Sequence, residues 1–335
     1  MPALPRLLIT LGDVAGVGPE IVARAWPELL SLCAPIVVGD VEWMKRGLAQ
    51  ALQVAEVVPI SSPMDASPTA GAIPVLQATD QNLTNVRPGE IGPEAGRAAY
   101  DFLCTAIDLA LAGQADGIVT CPLHKEGLHA GGVNYPGHTE ILADLTKSPS
   151  HGMMLWARNG RIPHGLGVVH VTLHMALHDV FEHVTTGAVI EKARLLDQML
   201  RRLIGRAPKL AIAALNPHAS DGGLFGHEER DIIEPAVREA KANGLHAVGP
   251  VSSDTLFSRA KRGEFDGVVA MYHDQGHIPM KLLAGLDAVN ITVGLPIVRT
   301  SVAHGTAYDI AGKGIADHRS LIEATRVAAL LAANR

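Results

Sequence analysis

The sequence repeats one order of segments: an amphipathic helix, a short β-branched strand, and a polar loop where the strand ends. Apolar spacing and capping residues predict three such helix–strand pairs, at 93–112 and 117–120, 187–204 and 210–215, and 253–262 and 267–272. Short apolar strands that alternate with helices are typical of a parallel or mixed sheet covered on both faces. The chain is therefore predicted to be an α/β protein with its ligands beyond the carboxyl ends of the strands.

The length of 335 residues exceeds one ordinary core and predicts two domains. No change in composition marks a linker, so we expect the two domains to share the chain discontinuously. The segment Ala66–Asn85 is rich in Pro, Thr, Gln and Asp and is predicted to be an irregular surface excursion. The residues His273–Gly276, which follow the predicted strand at 267–272, are expected to form a loop.

Composition excludes several classes of protein. A formal net charge of −6 leaves no basic excess for a general nucleic-acid binder. No apolar run approaches the roughly 20 residues that a membrane span requires, and the N-terminus lacks a signal-peptide pattern. Three scattered cysteines without a CxxC pair fit a reducing compartment, so the protein is predicted to be cytoplasmic. Cys121 is interpreted as a small residue at a strand end rather than as a nucleophile.

Three histidines follow predicted strands: His174, His218 and His273. Each lies where a parallel strand opens into its ligand-binding edge. Three neutral imidazoles leave a divalent ion its full charge and open coordination positions, as Lewis-acid catalysis requires. From position alone, a metal site and three ordinary surface histidines remain equally open interpretations.

A competing interpretation uses local spacing. His170, His174 and His178 are four residues apart and would share one face of a helix. The β-branched run before His170 indicates a strand instead, which would direct His170 away from His174. We therefore favour the three strand-end histidines over a helical metal face.

Other polar residues are candidates for binding anions. One mostly apolar stretch contains Lys281, Asn290 and Arg299. In such a stretch a lysine or arginine is less expected to be only a solvated surface residue, and both side chains commonly bind phosphate or carboxylate groups. The glycine-rich turn Gly12–Glu20 follows a strand and opens a helix, but it has neither GxGxxG nor P-loop spacing. A phosphate-binding turn and a simple tight turn both fit it. The small-residue run His304–Asp317 would let backbone amides approach a ligand closely.

The sequence resembles the 4-hydroxythreonine-4-phosphate dehydrogenase family of vitamin B6 biosynthesis, over essentially the whole chain. The resemblance rests on these strings, in this order: GDVAGVGPEI, PLHKEGLHAGG, YPGHTEILADLT, LNPHASDGG, SSDTLF, MYHDQG and NITVGLPIVRTSVAHGTA. The string HGTAYDIAGKGIAD also resembles the adenosine-binding loop of isopropylmalate and isocitrate dehydrogenases. This implies their fold, two α/β/α domains with a cleft between them, which binds NAD without a Rossmann fingerprint.

The resemblance implies a domain I of residues 1–135 and 290–335 on the cofactor side, and a domain II of residues 136–289 on the metal and dimerisation side. It places His174, His218 and His273 on the family's metal ligands. It places substrate binding on His138, Thr139, Asp254, Lys281, Asn290 and Arg299. It places binding of NAD or NADP on His304, Gly305, Thr306, Ala307, Asp309, Ala311 and Gly312. A homodimer is implied, in which one metal-binding histidine comes from the partner subunit.

The implied reaction is metal-dependent oxidation of a phosphorylated hydroxy acid by NAD, with decarboxylation. The first expected substrate is 4-hydroxythreonine 4-phosphate, giving 3-amino-2-oxopropyl phosphate. The sequence departs from the family pattern at Val14 and at LHMAL around His174. The string HDQGHIPMKLL, with His277, looks more like relatives that oxidise 4-phospho-D-threonate, 4-phospho-D-erythronate or aromatic cis-dihydrodiols, and the retained GHTE, Lys281 and Arg299 favour a phosphorylated acid over a dihydrodiol. Asp274 and Lys125 are the candidates for proton transfer, and Asp254 could orient a ligand histidine. The ion is expected to be Zn²⁺, Co²⁺, Mn²⁺ or Mg²⁺.

Two other classes of function remain as alternatives: a metal-dependent lyase or hydrolase, and a non-catalytic phosphoester-binding protein that uses Lys281 and Arg299. The adenosine-loop string favours the dehydrogenase, because neither alternative requires an adenosine pocket.

Overall fold

The structure is a computed structural model that describes residues 4–334. The strands are β1 (Arg6–Thr10), β2 (Ala34–Gly39), β3 (Glu56–Ile60), β4 (Ala72–Gln77), β5 (Gly117–Thr120), β6 (Gly152–Asn159), β7 (Ile162–His170), β8 (Leu210–Ala213), β9 (Ala247–Val251), β10 (Gly267–Ala270), β11 (Val289–Val293) and β12 (Arg299–Val302). The helices are α1 (Gly18–Leu29), α2 (Val41–Gln50), α3 (Pro93–Leu111), α4 (Lys125–Ala130), α5 (His138–Leu145), α6 (Val180–His183), α7 (Thr186–Ile204), α8 (Glu234–Ala242), α9 (Ser253–Lys261), α10 (His273–Ala284) and α11 (Arg319–Ala333). Strands and helices alternate along most of the chain, as an α/β protein requires.

The chain divides into two compact units: unit 1 is the chain up to Pro149 and from Leu295 onward, and unit 2 is Ser150–Gly294. The predicted domains ended at residues 135 and 289 instead. The difference places His138 and Thr139 in unit 1, because they begin α5, which packs against α3. It places Asn290 in unit 2, because β11 pairs with β6.

In unit 1 the strands are ordered β3-β4-β2-β1-β5-β12, and the pairs are parallel. The central strand β1 is almost fully buried over 7–10, as expected for a strand covered on both faces. Helix α1 begins with Gly18 and Pro19, and Pro19 suits the first turn, where a backbone N–H would have no partner. Position 18 must be glycine, since a Cβ there would lie 1.9 Å from the Leu11 carbonyl oxygen.

In unit 2 the strand order is β11-β6-β7-β10-β8-β9. Strand β6 is antiparallel to both β11 and β7, whereas β7, β10, β8 and β9 run parallel. The sheet is therefore mixed. Helix α7 ends at Gly205, which adopts a left-handed conformation and terminates the helix.

The three predicted helix–strand pairs are confirmed, with ends that differ by at most two residues. Two other expectations are wrong. The segment 66–85 is not irregular throughout, because its apolar run at Ala72–Gln77 forms β4 between β2 and β3. His273–Gly276 is not a loop but the first turn of α10, since polar residues after a strand also suit a helix N-terminus.

Helices within residues 4–334 are all too short or too polar to span a bilayer.

Candidate functional site

Three adjacent parallel strands of unit 2 place the predicted metal-binding histidines at one edge of the sheet. Strand β10 pairs with β7 on one side and with β8 on the other, with Ala270 opposite His170 and Val269 opposite Ile212. His174, His218 and His273 follow the carboxyl ends of β7, β8 and β10, respectively. Pairing between strands that are distant in sequence thus brings the three segments to the same edge.

His273 lies in a cluster of imidazole rings. Its ring centre is 5.7 Å from that of His174 and 3.8 Å from that of His277, and it stacks on the His277 ring at 8°. Its Nδ1 lies 2.6 Å from Asp274 Oδ1. The carboxylate therefore favours the proton on Nδ1, which leaves the lone pair on Nε2.

His170 belongs to the same cluster, although the sequence reasoning set it aside. It is in a strand as predicted, but its Nε2 lies 3.1 Å from Nδ1 of His277 and its ring centre 6.3 Å from that of His273. Burial and the neighbouring His277 lower the pKa of His170 to about 3, and burial and His273 lower that of His277 to about 4. Both rings are neutral at physiological pH.

His218 lies in an unusual loop. Residues 218–221, none of them glycine, have φ between 48° and 67°. Such a run is costly and needs support from its surroundings. Glu229 gives that support: it is 2% exposed, and its carboxylate accepts hydrogen bonds from the backbone N–H of Leu215 and Asn216 at 2.8 and 2.7 Å, and from the Ser220 hydroxyl.

Gln275 ties the strand ends together. Its amide donates to the Ala214 carbonyl at 2.7 Å and to the Ser253 hydroxyl at 2.9 Å, and its Oε1 accepts from Met271 N at 2.6 Å. It therefore connects the segments after β8 and β10 with the start of α9. Asp254, in the first turn of α9, is close enough to His218 to interact with it electrostatically. The Ser252 hydroxyl, which donates to Asp254 at 2.7 Å, is the main reason that the pKa of this carboxyl is lowered.

Sequence reasoning missed Glu229 and Gln275. Gln275 lies within the HDQG string that drew attention to His273, so its position was a usable signal. No sequence signal pointed to Glu229, because its hydrogen-bond partners are nine to fourteen residues earlier and approach it only when the loop has folded.

The three predicted ligands are not grouped within one chain. Among residues 4–334 there is no set of three or more His, Cys, Asp or Glu side chains arranged to hold a metal ion. Lys281 is exposed on α10, two turns after His273 and close enough to His277 to lower its pKa. Asn290 is half-buried in β11, and its Oδ1 is buried without a hydrogen-bond partner.

Two of the predicted substrate-binding residues, His138 and Arg299, form a basic site in unit 1. Arg299 is 2% exposed at the start of β12 and donates to the Thr120 hydroxyl at 2.6 Å. Burial lowers the pKa of its guanidinium to about 9, and nearby Glu140 partly opposes this. Burial and the charge of Arg299 hold the pKa of His138 well below its ordinary value. A buried guanidinium beside a neutral imidazole suits an anionic ligand.

Thr139 and Lys125 lie beside this basic site. Thr139 is half-buried in the first turn of α5, where backbone N–H groups are available to an anion. Lys125 begins α4, and its Cε lies 3.8 Å from where a Cβ on Gly137 would be, directly before α5.

The glycine-rich turn and the small-residue run are packed together in unit 1. Val17 N donates to the Thr306 carbonyl at 3.0 Å, and the Tyr308 hydroxyl donates to buried Asp13 at 2.7 Å. Burial raises the pKa of both Asp13 and Tyr308. The His124 ring stacks on Tyr308 with centres 5.0 Å apart. The turn therefore supports the loop after β12.

That loop carries the predicted cofactor-binding residues on irregular backbone between β12 and α11. Its left-handed positions include Ala307 and Gly312, and His304 Nδ1 lies 2.9 Å from the Gly305 carbonyl oxygen. Gly305 and Asp309 are exposed, whereas Thr306 and Ala311 are buried. The loop therefore exposes part of its backbone, while its buried residues and its contacts with the glycine-rich turn hold it in place.

The fold and these side chains define an α/β protein with polar clusters at the carboxyl ends of its strands, the usual place for an active site in this class. The family model described as "Pyridoxal phosphate biosynthetic protein PdxA" matches residues 31–328. The chain belongs to this family.

Individual relatives are similar over the whole chain. A D-threonate 4-phosphate dehydrogenase from Cupriavidus necator is 45% identical, covering 99% of this chain and 98% of its own length. A 4-hydroxythreonine-4-phosphate dehydrogenase from Geobacter metallireducens is 44% identical, covering 98% and 96%. The crystal structure of a 4-hydroxythreonine-4-phosphate dehydrogenase from Klebsiella pneumoniae has a TM-score of 0.87 and 39% identity, covering 98% of this chain and 99% of that one.

Proposed function

We propose that the protein is an NAD-dependent, divalent-metal-dependent dehydrogenase that oxidises the secondary hydroxyl of a 4-phosphorylated hydroxy acid, with loss of carbon dioxide. The observation that carries this proposal, given the family, is the Asp274–His273 pair beside His174. The first candidate substrate is 4-hydroxythreonine 4-phosphate, which would give 3-amino-2-oxopropyl phosphate for pyridoxal phosphate biosynthesis. The second is D-threonate 4-phosphate, which the name of the 45% identical relative favours.

The imidazole cluster fits a divalent ion. Imidazole nitrogens bind zinc at 2.0–2.1 Å, so two rings on one ion have centres roughly 5–6 Å apart. The distance of 5.7 Å between His174 and His273 lies in that range. His174, His218 and His273 would hold the ion, one of them from a partner subunit. When bound, the ion supplies a Lewis acid that favours loss of the substrate's hydroxyl proton.

Carboxylates of unit 2 would orient these ligands. Asp274 holds the Nδ1 proton of His273 and so presents Nε2 outward. Asp254, near His218, is positioned for the same task. Because the Asp274 carboxylate is already engaged with His273, Lys125 is the stronger candidate for moving a proton to or from the substrate.

Cationic and polar groups would hold the substrate's charges. In unit 1, buried Arg299 would bind an anionic group, because an anion offsets the cost of burying a guanidinium. His138 and Thr139 would donate hydrogen bonds to the same group. In unit 2, Lys281 and the unpartnered Oδ1 of Asn290 would contact the substrate's polar groups.

The loop after β12 would bind the adenosine part of NAD through its small residues, His304, Gly305, Thr306, Ala307, Asp309, Ala311 and Gly312. When bound there, NAD would supply an acceptor for the hydride of the substrate carbon. The contacts of the loop with Asp13 and Val17 support this proposal, because a preorganised loop loses less entropy when it binds.

A homodimer is part of the proposal. Helix α10 exposes Ile278 and Leu282, by 55% and 71%, in adjacent turns next to its histidines. Phe181 in α6 of the same unit is 53% exposed. Large apolar side chains beside a proposed metal site support an interface that excludes water there.

The test measures NADH at 340 nm with each candidate substrate, and metal content by elemental analysis. We expect NADH formation that requires a divalent ion, and we expect His218→Ala to lose both metal and turnover. His246→Ala, which removes an exposed histidine elsewhere in unit 2, is the matched control and should keep both. Turnover without NAD would indicate a lyase or hydrolase, and substrate binding without turnover would indicate a binding protein.

A further inference from the structure

Two buried histidines of unit 2 are left without a role by the proposed function. His170 at the end of β7 is 1% exposed, and His277 in α10 is 9% exposed. Both lie against His273, which the proposed function makes a metal ligand. Burying two imidazoles next to a third is costly unless their hydrogen bonds are satisfied, so their contacts are informative.

The two rings form a defined hydrogen bond. His277 Nδ1 and His170 Nε2 are 3.1 Å apart, so one of the two nitrogens carries the proton. The His277 ring also faces the backbone carbonyl of His273, one turn earlier, which can only accept. Whichever of the two nitrogens carries the proton, this hydrogen bond with His170 fixes the orientation of the His277 ring.

The fixed ring then stacks on His273. Their centres are 3.8 Å apart and their planes differ by 8°. A ligand nitrogen binds metal along a direction in its own ring plane, at 2.0–2.1 Å for zinc. Because the two planes are nearly parallel and separate, the two rings do not converge on one ion. His277 is therefore a support for His273 and not an additional ligand.

The backbone is adapted to this packing. A Cβ on Gly276 would lie 2.4 Å from His170 Nε2 and 2.8 Å from Cγ1 of Val168. Only glycine at this position of α10 lets the helix approach β7 closely enough for His277 to reach His170.

We propose that His277 is a positioning residue for the metal ligand His273. Its ring is held by His170, and the face of the His277 ring fixes the orientation of His273. Asp274 holds the Nδ1 atom of His273, and the His277 ring restricts rotation of the His273 ring plane. This inference rests on the proposed function, because it requires that His273 binds a divalent ion. It holds whether that ion lies in the same subunit or the partner.

The experiment compares two substitutions of similar volume in the full-length protein. His277→Leu removes the aromatic face, whereas His277→Phe keeps the face and removes both nitrogens. Affinity for Co²⁺ is measured by competition with a chelating dye, and the Co²⁺ absorption spectrum reports the ligand geometry. Thermal melting without metal shows that each variant is folded, and His246→Ala controls for loss of a surface histidine.

We expect His277→Leu to weaken Co²⁺ binding by about tenfold and to change the spectrum, as is usual for residues that orient a ligand. His277→Phe keeps the ring face but loses the hydrogen bond to His170, so it should weaken Co²⁺ binding by no more than about threefold and retain the spectrum. Unchanged affinity in His277→Leu would overturn the proposal. Equal weakening in both variants would overturn the role of the ring face.

His174→Ala separates this inference from the function on which it rests. If His174→Ala loses Co²⁺ while His277→Leu retains full affinity, the metal site stands and only the positioning role fails. If His174→Ala and His218→Ala both bind Co²⁺ as the wild type does, the proposed function itself fails.

Discussion

Replacing Glu229 with Gln tests how the loop that carries His218 is held. The change keeps the side-chain shape but converts one acceptor oxygen into an amide group that can only donate. In one orientation this group would face the backbone N–H groups of Leu215 and Asn216. In the other it would face the Asn216 side-chain amide and the Ser220 hydroxyl. Either orientation leaves at least one donor facing another donor in a buried position.

The magnitude follows from these contacts. Hydrogen bonds to a charged group contribute about 1.5–3 kcal/mol each, and neutral ones about 1 kcal/mol. Losing one or two bonds to the Glu229 carboxylate and weakening the rest should destabilise the loop by about 2–4 kcal/mol. Since about 1.4 kcal/mol is a factor of ten, the loop should open at least about 30-fold more often.

Amide hydrogen exchange measures this opening directly. Protection at Leu215 and Asn216 should fall at least about 30-fold in Glu229→Gln, and metal affinity should fall with it because His218 loses its fixed position. Glu228→Gln is the control, since this half-buried neighbour accepts from the Asn216 side chain and not from the Leu215 backbone. Equal protection in the wild type and Glu229→Gln would refute the reasoning.

Three further predictions concern packing and binding. Gly276→Ala would place a methyl group 2.4 Å from His170 Nε2, so we expect a loss of about 1–3 kcal/mol and a lower melting temperature, whereas Gly187→Ala in open space should be neutral or slightly stabilising. Arg299→Met should reduce kcat/KM for the phosphorylated substrate at least about 100-fold, and an unchanged value would place the anion elsewhere. Tyr308→Phe removes a hydrogen bond of about 1 kcal/mol beneath the proposed cofactor loop, and initial-rate kinetics should show a KM for NAD raised several-fold with the substrate KM unchanged.

The proposed ligand set and the homodimer predict how activity depends on protein concentration. Because one histidine of each ion would come from a partner subunit, dilution below the dimer dissociation constant should release metal and activity together. Analytical ultracentrifugation alongside activity would show this. Full activity in a monomer would contradict the shared site.

The sequence by itself determined the local structure of this protein. Apolar spacing located the helix over 93–111 and the strands at β5, β8 and β10, because these signals depend on neighbouring residues. It also located His174, His218 and His273 as strand-end residues. It could not recognise β4, whose short run of Ala, Ile, Pro, Val and Leu lies among polar residues and is a strand only because β2 and β3 pair with it.

Only the tertiary structure decided what surrounds those histidines. The order β7-β10-β8 brings together segments about 40 to 100 residues apart, and no local pattern encodes which strands pair. His170 points into the same cluster as His273 because α10 packs on β7 at Gly276. Glu229 supports the His218 loop from a helical turn later in the chain, through hydrogen bonds to residues 215, 216 and 220. Non-local contacts depend on the whole packed sheet, which is why the candidate ligands could be identified from the sequence but their supports could not.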